Sequence, residues 1–351
     1  MTNQIDIKAR RCSYSVEFLD SIENLELTLK SMKYDAILFD KKLLSLNILS
    51  GRILNSKPAL GLDAVEESKN FTAINKVLLW FSENSLNRSS VILVIGGGIV
   101  QDVATFACSI FHRGINWIYV PTTLLAQSDS SIGGKCGINL ENRKNQVGVV
   151  YPPNRILNVH EFLDTLPANH VKSGIGEILK LSLTDDGQFW VQMKEFLDSK
   201  GNDFNQIVKL ALTAKKLVIE IDEFEENYRR VLNYGHTFGH AFESASNYKI
   251  PHGFAVLFGM KIVNYLGVAW GESDSKLVRE VDSYIDKILE ESDYIKLVAK
   301  KDVFDIIKSD KKAKEGQITL VLLKELGRLK FVTKKLDSNL KLEILDAIDA
   351  L

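Results

Sequence analysis

Val91-Ile-Leu-Val-Ile95 runs directly into Gly96-Gly-Gly98, and Ile99 to Phe111 then carries apolar residues at helical spacing. An unbroken β-branched run of this kind reads as a strand buried on both faces, the habit of parallel sheets covered by helices. The neighbouring runs agree. Ala36-Ile-Leu-Phe39 is a short apolar run closed by Asp40, and Trp117-Ile-Tyr-Val120 is another, ended by Pro121. Strands alternating with helical patterns predict an α/β fold with a Rossmann-like parallel sheet. From about Leu163 the pattern changes. Helical spacing covers Val171–Leu183, Phe204–Ile221, Val231–Ser246, Phe254–Trp270 and Ser275–Glu290, and Ile318–Leu323 reads as a returning strand. A chain of 351 residues exceeds what one core usually serves. The expected division is an α/β domain over 1–155 and a mainly helical domain over 156–351.

Composition narrows the function. Hydrophobic residues are 45% and charged residues 25%, with a net charge of -1 and the basic residues spread along the chain, so nothing points to a duplex-sized basic surface and nucleic acid is not an expected partner. Cys12, Cys108 and Cys136 are odd in number and widely spaced, which makes neither a disulfide framework nor a CxxC metal site and fits a reducing cytoplasm. Early charges (Asp6, Lys8, Arg10, Arg11) argue against a signal peptide. Phe254 to Trp270 is apolar but interrupted by Lys261, and reads as a core helix rather than a membrane span.

Three features carry chemistry. A strand, three glycines and a helix can hold a phosphate, because backbone N–H groups approach an anion and the helix N-terminus adds positive potential. A tight strand-to-helix turn explains the same residues, and Asp102 in the first helical turn is favourable there in any case. Next, Asn233-Tyr-Gly-His236-Thr-Phe-Gly-His240 places two histidines at i and i+4 on one helical face. A catalytic zinc usually takes three protein ligands, and His252, Glu177 and Glu243 are candidates for the third. The competing reading is a pair of hydrogen-bonded core histidines. Only six histidines exist in the chain, and the clustering of His236, His240 and His252 favours a metal site. Finally, Ser128-Asp-Ser-Ser-Ile-Gly-Gly-Lys135 and Arg143-Lys144-Asn145 could hold anionic oxygens, although any one lysine there suits a solvated loop.

Taken together the segments resemble the dehydroquinate synthase family of sugar-phosphate cyclases. The resemblance covers roughly residues 60 to 330. It rests on Arg113-Gly114, Val120-Pro-Thr-Thr-Leu-Leu-Ala-Gln-Ser-Asp-Ser-Ser-Ile-Gly-Gly-Lys135, Asn139, Lys144-Asn145, Leu232-Asn-Tyr-Gly-His-Thr-Phe-Gly-His-Ala-Phe-Glu243 and Pro251-His-Gly253. It implies an N-terminal NAD-binding domain, a C-terminal metal-binding domain, one Zn2+ or Co2+, and a homodimer. Gly97, Gly98, Asp102, Thr122, Thr123 and Leu125 then match cofactor positions, as do Asp40, Glu66, Lys69, Lys144 and Thr165. Glu177, His236 and His252 match the metal ligands, and His240 moves from ligand to the substrate phosphate. Asp129, Lys135, Asn145, Lys180, Lys215, Arg229, Asn233 and one of Lys311 or Lys312 match substrate positions, Asp129 and Lys135 also bordering the cofactor. Arg113 matches an arginine that crosses the dimer interface. The implied reaction closes a phosphorylated heptulosonate to a carbocycle and releases phosphate, with NAD oxidised and reduced within one turnover.

The chain departs from the family pattern at Gln101-Asp102, at Gly134-Lys135-Cys136, in Gly137–Asn145, and at Ala168-Asn169-His170 after Thr165-Leu-Pro167. These leave room for a cyclase of another sugar phosphate, such as sedoheptulose 7-phosphate. A metal-dependent polyol dehydrogenase is a more distant alternative, and needs no phosphate cradle. A non-catalytic binding relative would be expected to have lost a metal ligand, and all three are present.

Overall fold

The computed structural model describes residues 3–49, 51–141, 143–185, 187–199, 203–290, 292–309 and 316–351. Two units separate by their contacts: Met1–Pro167 with Lys215–Phe224, and Ala168–Ala214 with Glu225–Leu351. The chain thus leaves the first unit and returns to it once.

The first unit is built on a seven-stranded sheet. Its strands are β1 (Gln4–Lys8), β2 (Ser13–Leu19), β3 (Ala36–Asp40), β4 (Ala59–Leu62), β5 (Val91–Gly96), β6 (Asn116–Pro121) and, after the short hairpin β7 (Ile138–Leu140) and β8 (Arg143–Val147), β9 (Arg155–Val159). The order is β1-β2-β9-β6-β5-β3-β4. All neighbours are parallel except β1 on β2. Alternate residues divide between the faces, as a period of two requires. Ile37, Phe39, Leu93, Ile95, Ile118, Val120, Leu157 and Val159 meet Leu25 and Leu29 of the Ile22–Ser31 helix in one core. Their neighbours Leu38, Ile92, Val94, Trp117, Tyr119 and Ile156 are buried as well, under the Gly98–Ile110 helix among others. Burial on both faces is why β5 reads as an uninterrupted apolar run.

Some expectations change. No strand is expected before Ala36, yet β2 lies inside the sheet; its Tyr14, Val16 and Phe18 alternate, and all three are buried. The stretch from Gly137 to Asn145, where the chain departs from the family pattern, contains most of a hairpin. Residue 155 falls at the first position of β9, a strand of the main sheet.

The second unit is mainly helical. The His252–Ala269 helix runs through its centre and packs on Ala168–Ser182, His236–Ala245, Ser275–Leu289 and Ser338–Asp349. Its 18-residue apolar window is 72% buried, which makes it a core helix despite a hydropathy high enough for a span. The expected returning strand is β10 (Gln317–Glu325), but it pairs only with β11 (Arg328–Lys335), in a separate antiparallel ribbon. The helix expected over Val231–Ser246 is also two elements. A 3-10 turn over Tyr228–Asn233 ends at Tyr234, Gly235 takes φ +78, and the α-helix begins at His236. The left-handed glycine resets the chain direction, so His236 starts a helix instead of lying in the middle of one.

One polar chain crosses this core. Tyr234 Oη donates to Asn264 Oδ1, and Asn264 Nδ2 donates to Asp282 Oδ1 at 2.6 Å. Burial, opposed by the Asn264 hydrogen bond and Lys261, pushes the Asp282 carboxyl up to about 6. The folded pKa lies above the unfolded one, so this group's stabilising contribution is complete below about pH 4 and is lost as pH rises through about 6. A rise of that size is worth at most roughly 3 kcal/mol. Asp282→Asn keeps an acceptor for Asn264 and removes the titration. Urea unfolding of the two proteins at pH 4 and pH 7.5 should show the parent losing stability relative to the variant at the higher pH. A constant difference between them would contradict the assignment.

Candidate metal centre and nucleotide site

The carboxyl ends of β3, β5 and β6 carry Asp40, Gly96 to Gly98, and Thr122 to Leu125, the edge of a parallel sheet where ligands usually bind. Gly97 caps the Gly98–Ile110 helix without a side chain. A Cβ there would lie 2.7 Å from Thr123 Cγ2, so a larger residue would force the Thr123 side chain to shift. Thr122 N–H donates to Gly96 O at 3.1 Å, which ties the β6 exit to the glycine turn.

Beside it Lys69 is buried, with Nζ 2.7 Å from Asp102 Oδ2 and donating to Asn145 Oδ1 at 3.0 Å. Glu66 Oε1 accepts from Asn139 Nδ2 at 2.9 Å and lies 3.5 Å from Lys144 Nζ. Burial raises the Asp102 carboxyl above its usual range, against the pull of Lys69. The expected residues Glu66, Lys69, Asp102, Lys144 and Asn145 therefore form one network, and Asn139 joins it as a structural hub. Asp40 is buried at the end of β3, its Oδ1 accepting from Lys42 N–H at 2.9 Å; burial raises its carboxyl.

After β6 the chain makes a π-helical turn, Ala126–Ser130, which brings Asp129 against Lys215. Lys215 Nζ is 2.8 Å from Asp129 Oδ1 and donates to the Asp129 carbonyl at 2.7 Å. Such turns are rare and recur at functional sites. Lys135 is exposed and forms an isolated antiparallel bridge with Val150. Arg113 is exposed with φ 66, and the Thr165 hydroxyl donates to Phe162 O at 3.2 Å in its own local turn.

The second unit holds the other set. Glu177 lies on the Ala168–Ser182 helix, His236 starts one helix and His252 starts another. Glu177 Oε1 is 3.5 Å from His236 Nε2 and 3.2 Å from His252 Nε2. Ligand bonds of about 2.1 Å arranged tetrahedrally put donor atoms roughly 3.4 Å apart, so this spacing suits a single divalent ion. The other ring nitrogens are engaged: His236 Nδ1 lies 3.2 Å from Tyr234 O, and His252 Nδ1 lies 3.2 Å from Glu243 Oε2. Each acceptor calls for a proton on Nδ1, which directs the Nε2 lone pair to the cluster.

Glu177 is fully buried, and neither carboxylate oxygen has a hydrogen bond of good geometry, although Lys180 Nζ stands 2.5 Å from Oε2. A buried carboxylate left in that state is the mark of a group shaped for a cation. Burial would raise its pKa, but Lys180 and the two histidines hold it well below the carboxylate range. Burial and Lys180 together hold His236 well below the usual imidazole value, leaving it neutral. Glu243 and Glu177 outweigh burial and push His252 up to about 10, so an ion must displace the Nε2 proton before that nitrogen can offer its lone pair. The donor set, two imidazoles and one carboxylate, is the kind that holds catalytic zinc or cobalt, which keeps a further position for an exogenous ligand.

The helices reach this spacing through glycine. A Cβ on Gly253 would lie 1.8 Å from Ser173 O, and one on Gly259 would lie 1.9 Å from Gly235 O. The helices carrying the three candidate ligands therefore meet backbone to backbone.

Around the cluster, the His240 ring is 5.4 Å from that of His236 and stacks at 6.0 Å on His252. A second grouping of His240, Glu243 and His252 has donors within the same 4.8 Å span. It shares His252, but the Glu243 contact uses the ring nitrogen opposite the one facing Glu177. Arg229 is buried in the 3-10 turn, and Asn233 Nδ2 donates to Glu225 Oε1 at 2.6 Å. Glu225, with φ 59, went unnoticed in the sequence; only its lodging in an acidic run eight residues before Asn233 could have marked it. Lys311 and Lys312 lie outside the described residues.

Residues 59–173 match the family described as 3-dehydroquinate synthase N-terminal, and residues 174–313 match the one described as 3-dehydroquinate synthase C-terminal. The 3-dehydroquinate synthase of Campylobacter concisus (strain 13826) is 33% identical over 331 residues, covering 93% of this chain and 94% of that one. That of Dictyoglomus turgidum (strain DSM 6724 / Z-1310) is 37% identical over 272 residues, 76% of each chain. Among solved structures, 2-deoxy-scyllo-inosose synthase complexed with carbaglucose-6-phosphate, NAD+ and Co2+ superposes with a TM-score of 0.85 at 24% identity, covering 99% of both chains.

Proposed function

The chain belongs to the dehydroquinate synthase family, and from that premise we propose that it is an enzyme closing 3-deoxy-arabino-heptulosonate 7-phosphate to 3-dehydroquinate with release of inorganic phosphate. The observation that carries this reading is the convergence of Glu177 Oε1, His236 Nε2 and His252 Nε2 within 4.8 Å in a chain whose relatives bear that name.

NAD would be held by Asp40, Glu66, Lys69, Gly97, Gly98, Asp102, Thr122, Thr123, Leu125, Lys144 and Thr165. The chemistry it supplies when bound is removal and later return of one hydride at a ring carbinol, so it ends each turnover unchanged. A Zn2+ or Co2+ ion would be held by Glu177, His236 and His252, and supplies Lewis-acid polarisation of the hydroxyl being oxidised. The remaining roles belong to side chains alone. Lys215 and Arg229 suit the substrate carboxylate, Arg229 because its guanidinium pairs with carboxylate in a bidentate fork. Lys135, Asn145, Asn233 and His240 are assigned to the phosphate. Asp129 holds Lys215, and Lys180 neutralises part of the Glu177 charge. One of Lys311 or Lys312 completes the cationic set. Elimination breaks the C–O bond to phosphate, which leaves with the bonding pair while a proton is lost from the adjacent carbon. Cationic side chains set against the leaving phosphate would favour that charge movement.

A homodimer, with Arg113 reaching the neighbouring protomer, and a cytoplasmic location belong to the same reading. The location is supported by three free cysteines.

Phosphate release tests the reading. Purified protein with NAD and Zn2+ or Co2+ should release phosphate from 3-deoxy-arabino-heptulosonate 7-phosphate, form dehydroquinate and leave no net NADH. Release from sedoheptulose 7-phosphate alone would assign the chain to another cyclase and withdraw the carboxylate roles of Lys215 and Arg229. Stoichiometric NADH from a polyol would instead make it a dehydrogenase.

A further inference from the structure

We infer that Glu243 is a positioning residue for the metal centre: it holds the His252 ring so that Nε2, and not Nδ1, faces Glu177. The inference rests on the metal-binding reading above. Its basis is geometric. Glu243 Oε2 lies 3.2 Å from His252 Nδ1, while His252 Nε2 lies 3.2 Å from Glu177 Oε1. One imidazole is thus held between two carboxylates, one per ring nitrogen. The Glu243 carboxylate accepts a hydrogen bond from Nδ1–H, which leaves Nε2 as the nitrogen that presents a lone pair when an ion binds.

The need for such a brace is specific to His252. It is the first residue of its helix, following Pro251, and its side chain is 30% exposed, against 12% for His236 and 1% for Glu177. Packing therefore restrains it least of the three. His236 is steered by a backbone carbonyl, Tyr234 O, which no substitution at that residue removes. For His252 the corresponding acceptor is a side chain, and it comes from the same helix as His236, seven residues on. Glu243 thereby links the two histidine-bearing helices and fixes which nitrogen of His252 faces Glu177. With Nδ1 engaged by Glu243, His252 serves the grouping with Glu177 and His236.

The test measures Zn2+ affinity by chelator competition on the full chain, for the parent protein, Glu243→Ala, Glu243→Gln and His252→Ala. Loss of an outer-shell partner typically weakens metal affinity about 10- to 100-fold. Glu243→Ala should show a loss of that size, and Glu243→Gln, which keeps an acceptor oxygen, should recover much of it. The visible bands of the Co2+-loaded Glu243→Gln protein should match the parent's in position and intensity, since the ligand set is unchanged. Affinity within twofold of the parent in both Glu243 variants overturns the inference. So does a Co2+ spectrum of Glu243→Gln like that of His252→Ala, which would make Glu243 itself a ligand. If Glu243→Ala does not fold, Glu243→Met, which fills a similar volume without an acceptor, replaces it: an affinity loss of about tenfold or more supports positioning, and affinity within twofold of the parent opposes it. A parent protein that binds no Zn2+ at micromolar concentration would instead refute the metal-binding reading, a result distinct from failure of the positioning role.

Discussion

His236→Ala is expected to lose the metal and turnover together, whereas His240→Ala should keep the metal and lose turnover. Structural zinc sites with four ligands are worth about 10–16 kcal/mol, or roughly 2.5–4 kcal/mol per ligand, so one lost imidazole should weaken Zn2+ binding about 10²- to 10³-fold. A polarising ion supplies several kcal/mol to such a reaction. At 1.36 kcal/mol per tenfold, turnover of His236→Ala should fall by about 10³-fold or more even with Zn2+ in excess. His240 lies close enough for confusion, its ring 5.4 Å from that of His236. What separates the two is direction. His236 Nε2 is 3.5 Å from the buried Glu177 carboxylate, with Nδ1 tied to Tyr234 O. Zinc stoichiometry by atomic absorption on gel-filtered protein, with phosphate release measured on the same sample, tests both variants. Zinc retained by His236→Ala, or lost from His240→Ala, would exchange their roles.

That pair of outcomes also shows how far the sequence could be read. Spacing located the histidines, because a helical repeat puts residues four apart on one face whatever the tertiary fold. Spacing could not say which ring nitrogen points where, since that depends on acceptors from elsewhere: a carbonyl two residues back for His236, and Glu243 for His252. Nor could it select Glu177 over Glu243. Both are glutamates on apolar helices, and only burial separates them, Glu177 having no exposed surface. In the sheet, β5 was legible because both its faces are buried. β2 was equally legible in principle through Tyr14, Val16 and Phe18, but its charged and polar partners masked the alternation. The break at Tyr234-Gly235 was hidden for a different reason. Apolar residues continue at helical spacing on both sides of it, and the signal for the turn is a single glycine.

Gly253→Ala should disable the same centre without touching a ligand. Its new Cβ would stand 1.8 Å from Ser173 O and 2.6 Å from Ser173 C, so two backbones must separate by about 1.5 Å to reach ordinary contact. No side-chain rotation can relieve this, because the obstructing atoms belong to the peptide unit. Overpacking usually costs about 1–3 kcal/mol, and an immovable obstruction belongs at or above the top of that range. The contact is reinforced by Gly253 N–H donating to Ser173 Oγ at 2.9 Å. Ser173→Ala, which deletes only this bond, should cost about 1 kcal/mol. Glu177 lies one turn beyond Ser173 on its helix, and His252 directly precedes Gly253. Any separation at this crossing therefore pulls the carboxylate away from the imidazole that stands 3.2 Å from it. Urea unfolding and Zn2+ affinity should consequently fall together in Gly253→Ala, by about 3 kcal/mol or more and by at least roughly tenfold. Ser173→Ala should lose a little stability and keep its affinity nearly intact. A Gly253→Ala protein of parent stability would mean that the helices can part without cost. One that is destabilised but binds Zn2+ as tightly as the parent would mean that the ligand geometry is set elsewhere, and that close approach at the Gly253–Ser173 crossing serves stability alone.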